Sequence, residues 1–314
     1  MRVLVTGGTG FIGARLVRAL HERGEDVVVL TRGHPQGASP RNGSPKSVSH
    51  VQWTPEEPGP WLEEVRRADA VVHLAGAGVM DERWTEERLR VLRSSRVQTT
   101  RLISEEIART PSKPRVFVSA SAVGYYGMRD DAALCDEDSP VGDDVLAQLC
   151  LDWERSADPA RSAGVRVVHP RIGIVLGPEG GALAEMLPPF RAFAGGPIGP
   201  GTQYISWIHV HDTVRALLFA IDSPGLDGPC NVTAPEPVTM DTLAKEIGAA
   251  LGRPSMLRVP AFALRLALGA RSEVLLTGQR AVPNKLLASG FGFVFPQLRC
   301  TLNDVTQAPI ARRA

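Results

Sequence analysis

Three glycines carry the first legible chemistry. In Thr6-Gly7-Gly8-Thr9-Gly10-Phe11-Ile12-Gly13 they stand at positions 7, 10 and 13. Gly7 suits a tight turn, Gly10 lets a pyrophosphate approach the backbone, and Gly13 lets a helix pack close to a strand. The apolar run Val3-Leu4-Val5 precedes them, and a helical pattern with Ile12, Leu16, Val17 and Leu20 on one face follows. The first N–H groups of such a helix, aided by its dipole, face phosphate oxygens. A glycine triplet alone is weak evidence, but between a strand and a helix it predicts dinucleotide binding.

The end of the second strand selects among dinucleotides. An NAD site usually places an acid there, about 20 residues past the glycines, to hold the ribose 2′-OH. This chain has Thr31-Arg32-Gly33 instead. A guanidinium grips a 2′-phosphate bidentately and stacks on adenine, so NADP is expected over NAD; the alternative is an ordinary solvated arginine. Arg96, in mid-helix, either reaches the cofactor cleft or forms an ion pair. His209 and His211 flank Val210, a spacing that can ligate a metal. No further Cys, His or acidic cluster accompanies them, so no metal is expected.

These groups need a frame. Val3–Thr6, Val27–Thr31, Ala70–Leu74, Arg115–Ser119 and Val165–His169 read as strands, and Phe11–Arg23 and about Thr85–Arg109 as helices. Continuous apolar strands alternating with helices predict an α/β fold, a doubly wound parallel sheet covered on both faces. Residues 34–50 are rich in Pro, Gly and Ser and read as a surface loop. Further on, helical patterns fall near Leu183–Phe193, Thr213–Ile221 and Thr239–Leu251, with an extended piece at Asn231–Thr233. The expected division is a dinucleotide-binding domain over 1–170, to which part of 204–235 returns, and a smaller substrate-side region over 171–314.

The 314 residues carry 35 Lys+Arg against 34 Asp+Glu, a net charge of +1. That balance lacks the basic footprint of a nucleic-acid binder. Cys135, Cys150, Cys230 and Cys300 form no CxxC pair, which fits a reducing compartment. Neither a secretory leader nor roughly 18 uninterrupted apolar residues are found, so a cytoplasmic protein without a membrane span is expected. The partner is a small-molecule substrate, and self-association is left open.

TGGTGFIG at the front, His73-Leu74-Ala75-Gly76 after the third predicted strand and Ser119-Ala120-Ser121-Ala122-Val123-Gly124 after the fourth occur in order. Together they resemble the extended short-chain dehydrogenase/reductase superfamily, with its Rossmann-type fold. Ser121–Gly127, Trp153-Glu154, Arg171–Gly177, Gly195–Gly199, Ser206–Asp212 and Gly278–Pro283 are similar to one atypical branch, labelled epimerase family. A C-terminal region of unknown function is matched by about 255–303. The resemblance implies that Gly7, Gly10, Phe11, Ile12 and Gly13 cradle the pyrophosphate. It places Leu74, Ala75 and Gly76 along the adenosine and ribose, and Ser119, Ala120 and Ser121 near the nicotinamide. It sets Arg171 beside the substrate and makes Asp212 the N-cap of a helix.

The superfamily's chemistry rests on a Ser or Thr and a Tyr-x-x-x-Lys pair. Ser121 matches the serine. Aligned on Trp153-Glu154, Leu146 and Cys150 occupy the Tyr and Lys positions, so the usual proton relay is absent. Tyr125 and Tyr126 are substitutes for the phenol; an extended backbone would point them to opposite faces, so one should act. Asp152 and Glu154 are alternatives as acid–base groups, with helix surface charge the expected role. The resemblance therefore implies an NADP-dependent oxidoreductase or epimerase with an unidentified small hydroxy, carbonyl or nucleotide-sugar-like substrate. The rival is a dinucleotide-binding sensor or scaffold without turnover, which the missing Tyr–Lys pair favours.

Overall fold

The first strand, β1 (Arg2–Thr6), is Val-rich and buried on both faces, a pattern that belongs in the middle of a parallel sheet. In the computed structural model, which describes residues 1–33, 47–178 and 180–307, it is central. It pairs in parallel with β2 (Asp26–Thr31) on one side and with β4 (Ala70–His73) on the other. Strand β3 (Val48–Gln52) extends the sheet beyond β2, and β5 (Val116–Ser119) extends it beyond β4. The path from the β3 edge runs β3-β2-β1-β4-β5, then the strands Arg166–Ile172 and Gly228–Val232. This is the Rossmann strand order, whose crevice opens at the carboxyl ends of β1 and β4.

Helix α1 (Gly13–Glu22) follows the glycine turn. After the short α2 (Leu62–Arg66), the predicted long helix is present with an interruption. It consists of α3 (Glu86–Arg93), a π-helical turn at Ser94–Gln98, and α4 (Thr99–Arg109). Thr85 caps α3 by accepting from the Arg88 N–H at 3.1 Å. One layer of core is built from Leu4, Val28, Val71 and Phe117 of the strands, Ile103 and Ile107 of α4, and Trp53, Trp61 and Val65.

The predicted loop over 34–50 needs a correction at its end. Residues 34–46 lie outside the described residues, but Val48–His50 belong to β3. Among the described residues β3 is the edge strand of the path and pairs only with β2, so its polar sequence VSHVQ is tolerated and hides it from apolar-run reading.

Two compact units are present. The first comprises the described residues of 1–121 with Leu149–Pro170 and Val214–Cys230. The second comprises Ala122–Gln148, Arg171–Thr213 and the described residues from Asn231 on. The expected boundary at 170 thus misplaces 122–148, which leave the first unit directly after β5. The reason is local: Tyr126 packs into a small cluster with Val123, Cys135 and Ala281. The second unit's main core joins Leu183, Leu187 and Phe190 with Trp207, Leu243, Ile247 and Leu302. Among the described residues no helix is long and apolar enough to cross a membrane. Cys135, Cys150 and Cys230 are buried and Cys300 is exposed, and among the described residues none of the four is in a disulfide.

Candidate functional site

The turn between β1 and α1 is a cradle made by missing side chains. Gly7 has φ +69°, and a Cβ there would lie 2.9 Å from Ala75 N and Leu74 C. A Cβ on Gly13 would overlap the Gly7 carbonyl, so α1 can approach β1 only with glycine at 13. Gly8 is a third constrained position, its Cβ space filled by Val29. Gly10 differs: among the described residues beyond its chain neighbours, the one atom within 4 Å of its Cβ position is Gly7 O at 3.3 Å. Space beside Gly10 is therefore open. Helix α1 has neither a side-chain cap nor an acidic residue in its first turn. Its N-terminal dipole is left uncancelled for an anion.

A cleft of about 470 Å³ begins at Gly7, Thr9 and Gly10. It continues past Thr31, Arg32 and Gly33 at the end of β2, Trp53 and Pro55 after β3, and Leu74, Ala75, Gly76 and Ala77 after β4. Val91 and Ser95 close its other side. Arg32 is exposed, with no ion pair or hydrogen bond among the described residues. Glu56 also lines the cleft, its Oε1 accepting from Ser94 Oγ at 3.0 Å. A cradle that side chains would fill, an open wall at Gly10 and an exposed guanidinium at the β2 end together fit a dinucleotide with a 2′-phosphate.

Buried polar atoms at the neighbouring strand ends support that fit. His73, which ends β4, is fully buried; its Nδ1 lies 2.6 Å from Thr6 Oγ1, and its Nε2 has no partner. Burial, reinforced by the charge of Arg96, pushes its pKa down to about 3, so the ring is neutral. Ser119, its register partner on β5, has a buried Oγ that is also unpartnered. Unpaired buried polar atoms are uncommon in folded proteins, and these two follow strands whose ends line a cleft.

Two residues beyond Ser119, the Ser121 Oγ donates to Glu154 Oε1 at 2.7 Å, and both residues are buried. Glu154 lies on α5 (Val145–Arg155), the helix that carries Leu146 and Cys150. The expectation of surface charge holds for Asp152, which pairs with Arg93, and fails for Glu154. Its i+4 spacing from Cys150 puts Glu154 on the inward face with Cys150 and Trp153.

The tyrosines sit in the second unit, on a 3₁₀ turn over Val123–Tyr126. The expected extended backbone is therefore corrected: one tight turn separates the rings, which meet edge to face at 5.5 Å. Tyr126 is buried, donates to Asn231 Oδ1 at 2.7 Å and accepts from Arg171 Nη1 at 3.0 Å. Burial pushes its pKa well above the ordinary phenol value, against the pull of Arg171. Tyr125 is partly buried, and its hydroxyl has no hydrogen-bond partner among the described residues. Arg171 is itself buried, its Cζ 3.5 Å from the Tyr125 ring centroid and its Nη1 also donating to Glu137 O. It is held by groups of its own unit.

His209 Nε2 lies 3.1 Å from Asp304, its ring stacks on Phe295, and its Nδ1 accepts from the His211 N–H. Among the described residues no metal-holding group of His, Cys, Asp and Glu occurs. Asp212 is inside the helix Val210–Asp222 and accepts from the N–H groups of Val294 and Phe295, so the expected N-cap role is corrected.

The cleft brings together Gly7, Gly10, Arg32, Leu74, Ala75 and Gly76 of the predicted set. Gly13 stands behind it, and Phe11, Ile12 and Ser119 are not in its lining. Sequence reading missed Trp53, Glu56, Val91 and Ser95. The first two follow the unrecognised β3, and the others lie on the helical stretch, where periodicity marks faces but not neighbours.

The sequence profile of the NAD dependent epimerase/dehydratase family matches residues 3–232. A domain of unknown function, DUF1731, matches 259–305. The chain is 40% identical over 311 residues to the Arabidopsis thaliana epimerase family protein SDR39U1 homolog, chloroplastic, covering 98% of this chain and 87% of that one. It is 37% identical over 305 residues to the epimerase family protein YfhF of Bacillus subtilis, covering 97% and 98%. Among solved structures, the human epimerase family protein SDR39U1, crystallised with NADPH, superposes with a TM-score of 0.85 at 34% identity, covering 98% of this chain and all of that one.

Proposed function

The chain belongs to the NAD dependent epimerase/dehydratase family, and from that premise we propose that it is an NADP-dependent oxidoreductase or epimerase. Its substrate is a small hydroxy or carbonyl compound or a nucleotide-sugar-like molecule. The reading is carried by one observation, the hydrogen bond from Ser121 to buried Glu154 at 2.7 Å. The same unit holds a glycine cradle suited to a dinucleotide. NADP rather than NAD is supported by Arg32 at the end of β2 and by the NADPH of the human relative.

When bound, the cofactor supplies a hydride acceptor or donor; the chain's own residues handle binding and the proton. Gly7, Gly10 and the start of α1 receive the diphosphate, and Arg32 receives the 2′-phosphate. Ser121 hydrogen-bonds the substrate oxygen. In the oxidation direction it accepts the substrate's hydroxyl proton while its own proton passes to Glu154. In reduction the proton returns by the same path. This relay runs through α5, the helix where the superfamily places its tyrosine and lysine and this chain has Leu146 and Cys150. The phenol of Tyr126, tied to Asn231 and Arg171 with a raised pKa, is unsuited to proton transfer near neutral pH. Of the two phenols, Tyr125 is the one whose hydroxyl has no hydrogen-bond partner among the described residues, and so the one to test for a part in turnover.

The test is a panel of carbonyl compounds and nucleotide sugars incubated with NADPH or NADP, followed by nicotinamide absorbance and product chromatography. With a turned-over substrate in hand, Ser121→Ala and Glu154→Gln should each lower kcat by about 10²–10⁴-fold, the usual contribution of acid–base assistance, with NADPH affinity retained. Wild-type turnover in Glu154→Gln would overturn the relay. Tight NADPH binding with no turnover across the panel would overturn the enzyme reading in favour of a sensor.

A further inference from the structure

Among the described residues the arginines of α3 and the turn after it pair with carboxylates, with one exception. Arg88 pairs with Glu82 at 3.0 Å and donates to Gly78 O at 2.6 Å. Arg90 pairs with Glu87 at 2.8 Å, and Arg93 pairs with Asp152. Arg96, in the π turn, has no carboxylate within ion-pair distance among the described residues. Its single hydrogen bond runs from Nη1 to Leu92 O at 3.3 Å. A guanidinium carries five N–H donors in a rigid fork, so most of these donors lack a protein acceptor.

The surroundings of Arg96 are specific. On one side its Cζ lies 5.1 Å from the Trp153 ring on α5. On the other, a Cβ added to Gly76 would come within 3.1 Å of Cζ and 3.3 Å of Nη2. Gly76 follows β4 and lines the cleft with Ala77 and Ser95, the residue before Arg96. Glycine at 76 gives the guanidinium room at this wall, since a Cβ there would press against it. His73, whose buried Nε2 is unpartnered, lies close enough to feel the charge of Arg96. Arg96 is partly buried, and burial, with a contribution from Arg88, lowers its pKa from the ordinary arginine value. Holding an unpaired cation away from water is unfavourable, and π turns recur at functional sites.

The face of α5 that meets Arg96 adds meaning to this placement. Cys150 lies one helical turn before Trp153 and so shares its face. By the alignment on Trp153-Glu154, Cys150 occupies the position of the superfamily's lysine. Arg96 thus brings a positive charge, from the neighbouring helical stretch, to the side of α5 that has lost one.

We propose that Arg96 is an anion-binding residue of the cleft, receiving a phosphoryl oxygen at the end of β4. The proposal rests on the dinucleotide reading of the cleft and extends it to a residue outside the glycine motif. The oxygen comes from the cofactor's diphosphate or from a phosphate carried by the substrate; a guanidinium fork suits either.

Calorimetric titration of the full chain distinguishes the sources, with NADPH, inorganic pyrophosphate and UDP as probes and Arg96→Met and Arg96→Lys as variants. If the oxygen is the cofactor's, Arg96→Met weakens NADPH at least tenfold. If it is the substrate's, NADPH is unchanged and UDP, added to the NADPH complex, weakens at least tenfold. Arg96→Lys should recover part of either loss, since it keeps the charge without the fork. The ligand-free Arg96→Met protein should melt at the wild-type temperature or above, because an unpaired cation has been removed. Affinities for all three probes within twofold of wild type would overturn the proposal, as would a lowered melting temperature at unchanged affinity, the mark of a structural arginine. A wild-type protein that fails to bind NADPH defeats the cofactor reading, while pyrophosphate and UDP still decide the role of Arg96. Binding of none of the three by wild type overturns both.

Discussion

Gly10 and Gly13 should fail in opposite ways when given side chains. At Gly13 an added Cβ overlaps the backbone carbonyl of Gly7, which cannot rotate aside. Overpacking of a tight contact costs about 1–3 kcal/mol, and an overlap with backbone belongs at the upper end. For a unit of this size about 3 kcal/mol corresponds to a melting decrease of roughly 6–12 °C. At Gly10 the Cβ position meets, among the described residues beyond its chain neighbours, only Gly7 O at 3.3 Å, and φ is not in the left-handed region. Gly10→Val should therefore fold, with stability changed by no more than about 1 kcal/mol. Its isopropyl group, however, occupies the space a diphosphate would take. Losing one charge-assisted bond to a backbone N–H costs roughly 1.5–3 kcal/mol, or about ten- to more than a hundredfold in affinity. Differential scanning calorimetry and NADPH titration on the two variants read the contrast. A folded Gly10→Val protein with wild-type NADPH affinity would refute the cradle; an unperturbed Gly13→Ala melting curve would refute the packing argument.

Arg32→Ala should weaken NADPH about ten- to a hundredfold and leave NADH nearly unchanged in parallel titrations; an equal loss for both would remove the 2′-phosphate assignment. His73 should make the fold acid-sensitive. Its folded pKa, about 3, lies below the unfolded value of about 6.5, so the unfolded chain binds the extra proton between those limits. Stability then falls by about 1.4 kcal/mol per pH unit below 6.5; chemical denaturation from pH 7 to 5 in wild type and His73→Asn should lose that slope only in the variant. Tyr126→Phe should cost about 1–3 kcal/mol in urea denaturation, because Asn231 and Arg171 lose a buried partner. Tyr125→Phe, with no hydroxyl hydrogen bond to lose, should be neutral in that assay and lower turnover once a substrate is known; the reverse pattern would exchange their roles.

Much of the first unit was legible because its signals are local. The order strand, glycine turn, helix constrains the backbone over a dozen residues, and Val-rich runs such as 27–30 belong only in a doubly covered sheet. β3 was hidden because an edge strand tolerates polar residues. Glu154 was misjudged because its burial depends on what α5 packs against, and one helical period cannot say whether a carboxylate faces water or Ser121. The tyrosines were misjudged through their backbone, since a four-residue 3₁₀ turn leaves no periodic trace. Arg96 was noticed as a charge in mid-helix, but the lack of a carboxylate beside it is a property of the folded neighbourhood. The assignment of 122–148 to the second unit depends on contacts of Tyr126 and Cys135 with Ala281, which lies far from both in the chain.

The central claim is that this chain is an NADP-dependent family member whose proton chemistry runs through Ser121 and Glu154. A crystal structure of the full chain with NADPH tests it most directly. The account predicts the diphosphate against Gly7, Gly10 and the start of α1, the 2′-phosphate on Arg32, and the nicotinamide beside Ser121 with the Ser121–Glu154 hydrogen bond intact. A diphosphate bound away from the glycine turn, or a nicotinamide out of reach of Ser121, would contradict it.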